Sequence, residues 1–328
     1  VATLLSAYLG NFDVSTADQP ADELSNITLP TETVIPITEP PCSYCSTQHV
    51  KALIQPDDRV IAWLRAVHNG GAFPLRHFLA GPRVVNDTYG LFFYDPDGGY
   101  VAAYEKDYGY KQHGWRAGVM VVQSEDGTLW SALTGRAISG NQNRRLKRIA
   151  SMVTNWNYWL MLHPESTTYD LFDGKKYTTQ PLPTQMSEEA KASMGDVDDR
   201  LGAMAPVLGV ELSSRQVAFP LEGLPQRACL LDDSTDRPVA VFWYARTQTA
   251  VAFDRRLEGQ TLTLYADEIS PESAPFKDQE TGTRWTLAGR GVDGPLRGKE
   301  LGWVESIQCR WYAWSAEYPE TTVYELQK

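Results

Sequence analysis

The chain has 328 residues and a formal net charge of −11 at pH 7, with 30 Lys and Arg against 41 Asp and Glu. That balance excludes a protein that grips a nucleic-acid backbone, which needs clustered basic residues, and no run approaches the ~18 apolar residues of a membrane span. With 42% apolar residues, among them ten Trp, sixteen Tyr and ten Phe, there is ample bulk for about two domains of ~150 residues.

Residues 1–41 hold six acidic residues, no Lys or Arg, and many Ser, Thr and Pro. Such a segment buries little apolar surface and reads as an extended acidic arm. Within it, Ile27-Thr28-Leu29 and Val34-Ile35-Pro36-Ile37 are candidate edge strands. A start at Val1 without Met fits a mature or trimmed chain, so a secreted or periplasmic protein is expected, although Val1 to Leu5 is too short for an intact signal peptide. Asn26-Ile27-Thr28 and Asn86-Asp87-Thr88 match the N-glycosylation sequon, which makes Asn26 and Asn86 glycosylation candidates.

Residues 42–172 read as a first β-domain. Val60 to Leu64, Leu91 to Tyr94, Tyr100 to Tyr104 and Gly118 to Val122 are short and rich in β-branched or aromatic residues. Turn-formers separate them, and Asp97-Gly98-Gly99 is the clearest hairpin turn. The basic cluster from Arg144 to Arg148 reads as a solvated loop or strand edge, with an anion or partner patch as the functional alternative. A linker follows over 173–199, with one short helix: Ser187 as N-cap, Glu188 and Glu189 in the first turn, Gly195 past the end. Residues 200–328 form a second β-domain with strands at Val239 to Tyr244, Thr249 to Phe253 and Gln260 to Leu264.

The two domains share an internal pattern. Trp130, Leu146, Trp156, Trp159, Pro164 and Tyr169 are answered 155 residues later by Trp285, Leu301, Trp311, Trp314, Pro319 and Tyr324. Upstream, Ala72-Phe73-Pro74-Leu75 is answered by Ala218-Phe219-Pro220-Leu221, 146 residues on. Val84-Val85-Asn86-Asp87-Thr88 is answered by Leu230-Leu231-Asp232-Asp233-Ser234 at the same spacing. A long repeat of this kind indicates domain duplication, with the extra residues of the second copy in surface loops. The i, i+3 tryptophans of each copy are expected on short one-faced helices. The fold class is therefore mainly β, all-β or α+β with few short helices. Its architecture is two tandem antiparallel β-sandwich or barrel-like domains related by internal duplication.

These blocks resemble the domain of unknown function 3179 family of bacteria and archaea. The family's pattern has an acidic-then-Val-Ile-Gly strand, an Ala-Tyr-Pro-Leu motif and a Val-Val-Asn-Asp-Thr turn. A Tyr-Cys-Pro-x-Cys-Gly-Thr-Ala hairpin with Phe-Asp-Arg follows, then Thr-Gly-Ser-x-Trp and a Trp-x-x-Trp…His-Pro-x-Thr ending. Here these correspond to Asp58-Arg59-Val60-Ile61, Ala72 to Leu75, Val84 to Thr88, Phe253-Asp254-Arg255, Thr281-Gly282-Thr283-Arg284-Trp285 and His163-Pro164-Glu165-Ser166. The resemblance covers nearly everything after residue 42, twice, and implies fold more than activity. The departure lies at the hairpin. The family's two cysteine positions fall at Ala245 and Gln248 in the second copy and at Asp95 and Gly98 in the first, with Tyr244 and Tyr94 aligned before them. None of these side chains can bind a soft metal or cycle as a redox pair.

Cys42-Ser43-Tyr44-Cys45 with His49 has the spacing of half a metal site. Copper or zinc would need a further ligand, for which His163 is the candidate among the isolated histidines. The same cysteines could instead form a local disulfide or remain two buried thiols. Four cysteines allow three connectivities, and a bond between Cys229 and Cys309 within the second domain is the preferred pairing. His163 lacks an orienting carboxylate and a nucleophile in sequence, and neither a nucleophile elbow nor a phosphate loop is present. The adjacent acids Asp57-Asp58, Asp198-Asp199 and Asp232-Asp233 read as turn and loop residues, since neighbours on a strand point to opposite faces. The favoured reading is an exported non-catalytic protein that binds a protein partner or self-assembles, its arm adding a strand to a neighbour's sheet. The alternative is a copper- or zinc-dependent or thiol redox enzyme at Cys42, Cys45 and His49.

Overall fold

The computed structural model describes residues 26–32, 36–38, 54–66, 69–75, 81–168, 185–235 and 237–326. Their first half runs β1 (Ile37–Thr38), β2 (Arg59–Ala66), β3 (Asn69–Pro74), β4 (Arg83–Asp87), β5 (Gly90–Asp95), β6 (Tyr100–Tyr104), β7 (Lys111–Arg116), β8 (Val119–Gln123), β9 (Leu129–Ser131), β10 (Ser151–Asn155), α1 (Trp156–Leu162) and β11 (Thr167–Thr168). After α2 (Glu188–Ala192) come β12 (Pro206–Glu211), β13 (Gln216–Pro220), β14 (Arg227–Asp232), β15 (Val239–Tyr244), β16 (Thr249–Asp254), β17 (Arg256–Leu257), β18 (Gln260–Thr261), β19 (Leu264–Ala266), β20 (Phe276–Asp278), β21 (Arg284–Trp285), β22 (Gly291–Asp293), β23 (Gly302–Trp303), β24 (Ser306–Arg310), α3 (Trp311–Glu317) and β25 (Thr322–Val323). The protein is mainly β with a few short helices, as the alternating and β-branched segments predict.

One four-stranded sheet has the order β10-β2-β3-β11, and another the order β24-β12-β13-β25. In both, the outer pair beside the central hairpin is antiparallel on one side and parallel on the other. Their registers correspond as well. Ile61 lies between Phe73 and Val153, and Leu208 between Phe219 and Gln308. Each sheet then runs from its outer strand directly into a seven-residue helix, α1 or α3. Both helices end on a residue whose N–H donates to a tryptophan carbonyl: His163 to Trp159, Tyr318 to Trp314. The capping aromatic ring packs on that tryptophan at 4.2 Å in the first case and 4.5 Å in the second. The expected tryptophan-bearing helices are therefore present, as is α2, whose N-cap Ser187 accepts from the Ala190 N–H.

A second sheet covers each of these. β4, β5 and β6 form an antiparallel meander, and β14, β15 and β16 another. β5 and β15 are buried at every residue, which explains why their sequences read as continuous apolar runs without alternation. On one face of β5, Phe92 and Tyr94 meet Trp63 and Phe73 of the adjoining sheet, with the Trp63 and Phe92 rings 4.5 Å apart. The same face of β15 presents Val241 and Trp243 to Leu208 and Phe219. These two cores are each built from one half.

The other two cores cross between halves. Trp156 and Trp159 of α1 pack with Phe242, Phe253, Phe276 and Trp285 of the second half. Trp311, Tyr312 and Trp314 of α3 pack with Tyr104, Trp115, Met120 and Leu133 of the first. Each helix thus buries its apolar face between the sheet of its own half, where Trp159 lies over Gly70 and Trp314 over Gly209, and the opposite half.

Charge reinforces the crossing. The basic cluster turns out to face the second half of its own chain. Arg145 binds Glu211 at 2.8 Å and Glu305 at 2.7 Å, and Arg148, whose side chain is only 4% exposed, binds Glu305 at 3.1 Å. Arg144 is the member that stays local, on Asp126 at 2.8 Å.

The described part of the arm also lies on its own chain. Thr28 exchanges both backbone hydrogen bonds with Trp115 at 2.9 Å, and β1 pairs in parallel with β4. Thr28 of the first candidate edge segment and Ile37 of the second are thus paired at edges of the first half, and residues 1–25 and 33–35 lie outside the described residues.

Three expectations are corrected. The segment Gln260 to Leu264 is not one strand: β18 ends at Thr261 because Leu262 turns inward to full burial. There its carbonyl accepts from Arg255 Nη1 at 2.8 Å. Asn86 is 2% exposed, so it offers no surface for a glycan. Its amide Nδ2 donates to the Tyr110 carbonyl and its Oδ1 accepts from the Tyr110 N–H, both at 3.2 Å. Asn86→Ala should cost about 1–3 kcal/mol, the penalty of leaving buried backbone groups unpaired, read from the midpoint shift in urea unfolding. Asn26, by contrast, is exposed.

The third correction concerns sulfur. Cys229 and Cys309 are free thiols. Cys229 on β14 packs against the core that holds α1, and Cys309 on β24 lies in the core that holds α3. Strand alternation therefore sends the two side chains into different cores, and the expected bond between them is not formed. Cys42 and Cys45 lie outside the described residues.

Candidate functional site

The hairpin turns that follow β5 and β15 fix the centre of the molecule. β5 and β6 close at the pair Asp95–Tyr100, and β15 and β16 close at Tyr244–Thr249. Asp95 therefore occupies the place of Tyr244, and Trp243 is the counterpart of Tyr94. This corrects the sequence alignment by one residue. A one-residue slip on a strand exchanges its faces, and the faces decide the matter: Tyr94 and Trp243 each lie in the core of their own half, whereas Tyr244 lies in a shared one. The positions answering the family's hairpin cysteines are then Pro96 with Ala245, and Gly99 with Gln248. The backbone agrees, because Gly99 (φ 64°) and Gln248 (φ 47°) are both left-handed.

Each turn is built differently. In the first, Asp95 is fully buried. Its Oδ1 accepts from the N–H groups of Asp97 at 3.0 Å and Gly98 at 3.1 Å, and Oδ2 from Met120 N–H at 3.3 Å. This is an Asx-type turn. Burial, with the neighbouring Asp97 carboxylate, pushes the Asp95 carboxyl up to about 7. Asp97 in turn accepts from the N–H and hydroxyl of Ser187, both at 2.7 Å, which ties the start of α2 to the turn. The second turn is a short 3-10 segment, Ala245–Thr247.

An arginine from the opposite half holds each turn. Arg59, at the start of β2, donates through Nη1 to the Thr247 carbonyl at 2.9 Å and through Nη2 to the Gln248 carbonyl at 3.3 Å. Burial lowers its guanidinium to about 10, still charged at neutral pH. Arg310, at the end of β24, donates its N–H to the Gly98 carbonyl at 2.8 Å and its Nη1 to the Met204 carbonyl at 2.9 Å. Its side chain crosses the bare backbone of Gly99, where a Cβ would stand 3.1 Å from Nε.

The position of Arg310 is informative. It is the N-cap of α3 and makes no capping bond through its side chain. The matching N-cap of α1 is Asn155, whose side chain accepts from the Tyr158 N–H at 2.9 Å. Asn is among the best N-caps, and losing one costs typically ~1 kcal/mol. The second half forgoes that stabilisation and aims a guanidinium at the centre instead.

Between the turns lies a cavity of about 380 Å³. Its wall is contributed in matching pairs by the two halves: Tyr94 with Trp243, Gly99 with Gln248, Leu75 with Leu221, and Val153 with Gln308. Arg59 and Arg310 complete it, and no Asp or Glu lines it. Gln308 is locked in place, accepting from Ala250 N–H and donating to the Gln248 carbonyl, both at 3.0 Å. Cys309 also lines the cavity, and burial pushes its thiol up to about 12, so it is protonated and a poor nucleophile near neutrality. Burial likewise raises the phenols of Tyr94 and Tyr100. The wall thus offers positive charge, amides and apolar surface, but no group poised to take a proton at pH 7.

The residues singled out from sequence lie elsewhere. Cys42, Cys45 and His49 fall outside the described residues, as do His68 and His77. His163 lines a separate depression of about 330 Å³ with Arg290 and Arg297. Burial and the nearby Arg290 lower its pKa to about 4, so it is neutral at pH 7. Among the described residues, no three of His, Cys, Asp and Glu gather where a metal ion could sit. Asp58, Asp198 and Asp232 each accept a hydrogen bond from a nearby backbone N–H, which is the turn role expected of them. The cavity's own arginines were missed, although Arg310 in the place of the capping Asn155 was the sequence signal for one of them.

The pattern of the family described as Protein of unknown function (DUF3179) matches residues 34–321, a span that includes both halves. No curated protein and no solved structure matches the chain.

Proposed function

The chain belongs to the DUF3179 family, and from that premise we propose that it is a non-catalytic binding protein, made by duplication of one β-unit, whose binding site is the cavity between the two hairpin turns. The observation that carries this reading is the paired lining of that cavity, with Gly99 and Gln248 at the turn positions where the family's cysteines would stand. Matching strand order, register and helix ends in the two halves support the duplication. A cavity of a few hundred Å³ with mostly apolar walls and a few fixed polar groups is the usual form of a small-molecule site. Export, and association with a protein partner, belong to the same proposal. They are carried over from the sequence as expectations; the described part of the arm, at Thr28 and β1, is paired within its own chain, so only residues 1–25 could serve a neighbour.

Val153 on β10 lines the cavity and is only partly buried, so a larger side chain there fills the space. In a ligand-observed NMR screen of a mixed-charge fragment set, fragments should bind the full chain, and Val153→Trp should abolish the signal for most of them. The reading fails if no fragment loses binding in the filled variant.

A further inference from the structure

We propose that the cavity takes a small organic anion, a carboxylate on an apolar or aromatic body, held between Arg59 and Arg310. The inference rests on the cavity being the binding site and adds the chemistry of its occupant.

Charge is the first argument. The chain as a whole carries −11, yet two arginines and no acid line this cavity. The acceptors that Arg59 and Arg310 meet are backbone carbonyls and the Gln248 amide oxygen. Among the described residues neither forms an ion pair with a carboxylate, whereas Arg145, Arg148, Arg237 and Arg255 all do. Both also keep a buried Nε–H without an acceptor among those residues. Arg215, Arg255 and Arg284 share that feature, but each of them is paired with a carboxylate. Carbonyl dipoles orient a guanidinium but do not neutralise it, and the nearest acids, Asp95 and Asp97, act on Tyr94 from behind the wall without lining the cavity.

Local sacrifice is the second argument. Arg310 stands where its counterpart Asn155 caps a helix, and it does not cap. Gly99 leaves the backbone bare under the Arg310 side chain. The uncapped helix costs stability locally and makes sense if the guanidinium is needed at the centre, while glycine is the natural residue at the left-handed position of Gly99.

The apolar share of the wall selects the body. Trp243, Val101, Val153, Leu75 and Leu221 surround the space, and they would give an inorganic anion nothing to replace its hydration. An aromatic or branched aliphatic carboxylate satisfies both parts of the lining.

The test uses the full chain and a matched set of probes: benzoate, benzamide, benzylamine and inorganic phosphate, titrated by calorimetry or ligand-observed NMR at low salt. Benzoate should bind at least about tenfold more tightly than its neutral isostere benzamide, as expected for a hydrogen bond to a charged group. Phosphate should be weaker than benzoate, and benzylamine should not bind. Arg310→Asn should weaken benzoate about tenfold or more while leaving the melting temperature equal or higher, because it restores the N-cap that Asn155 provides in the first half. Equal binding of benzoate and benzamide, phosphate matching benzoate, or benzoate affinity unchanged in Arg310→Asn would each overturn the proposal. If neutral fragments still report on Val153→Trp in those cases, the cavity remains the binding site and only its charge preference is lost. If benzoate binds Val153→Trp as well as the parent chain, it binds elsewhere and the proposal falls.

Discussion

Replacing Asp95 by Asn should remove a stability loss on the order of 4 kcal/mol that the parent chain suffers between about pH 4 and pH 7. The Asp95 carboxyl is fully buried, and its folded-state pKa of about 7 lies above the ordinary 3.8 because burial and Asp97 both disfavour the charge. Below the unfolded value the group is protonated in both states and contributes no pH dependence. As pH rises through the window from 3.8 to about 7 the unfolded chain ionises first, so the folded state loses ground. Above about 7 both states are ionised and the penalty is constant. Asn keeps the turn's acceptor for the Asp97 and Gly98 N–H groups, but it sets an NH2 against the Met120 N–H, a cost independent of pH. The quantity to measure is therefore the difference in unfolding free energy between parent and variant at several pH values from 4 to 8. It should shift steadily against the parent until about pH 7 and then level. A difference that stays flat across this range would refute the assignment, and comparison at each pH cancels the opposite contribution of His113 and His163, whose pKa values are lowered.

The second large effect follows from the crossed cores. Fragments 1–180 and 181–328, made separately, should each fail to show a cooperative melt, while the two expressed together should assemble one to one. Removing the first half uncovers one side of the core that holds Trp311, Tyr312 and Trp314, which are at most 2% exposed in the whole chain: Tyr312 stands over Gly118, and Tyr104, Trp115, Met120 and Leu133 leave with that half. Fully burying one such side chain contributes about 1.5–3 kcal/mol, so three of them approach the 5–15 kcal/mol that holds a typical domain together. The ion pairs from Arg145 and Arg148 to Glu211 and Glu305 are lost at the same cut. A sharp two-state transition in either fragment alone would contradict the crossed packing.

Much of this architecture is legible in the sequence. The i, i+3 tryptophans mark α1 and α3, Ser187 with Glu188 and Glu189 marks α2, and the apolar runs mark β5, β6, β15 and β16, because each signal is local. Hydrophobic spacing says which face of a helix is buried but not what buries it. For that reason Trp156 and Trp311 announced two cores without revealing that each helix is covered by the other half. The hairpin alignment slipped by one residue for a related reason: Tyr94 and Tyr244 match as letters, while the strand's period of two, which only pairing reveals, assigns Trp243 to the place of Tyr94. Asn86 looked like a glycan acceptor because a sequon is read from three residues, and its burial depends on Tyr110, twenty-four positions away. The candidate site was hardest to see. Arg59 and Arg310 are far apart in the chain and reach the wall of one cavity only because each turn is gripped from across the molecule.

The unlike residues at Gly99 and Gln248 carry a consequence for whatever enters between them. Both backbones turn left-handed, but one rim is bare and the other bears a carboxamide anchored near Arg59. Beneath the outward likeness of the halves, the mouth is lopsided, with Tyr94 on one side answered by Trp243 on the other. A guest would therefore find head and tail distinguishable, sit in a single pose rather than two interchangeable ones, and saturate at one molecule per chain.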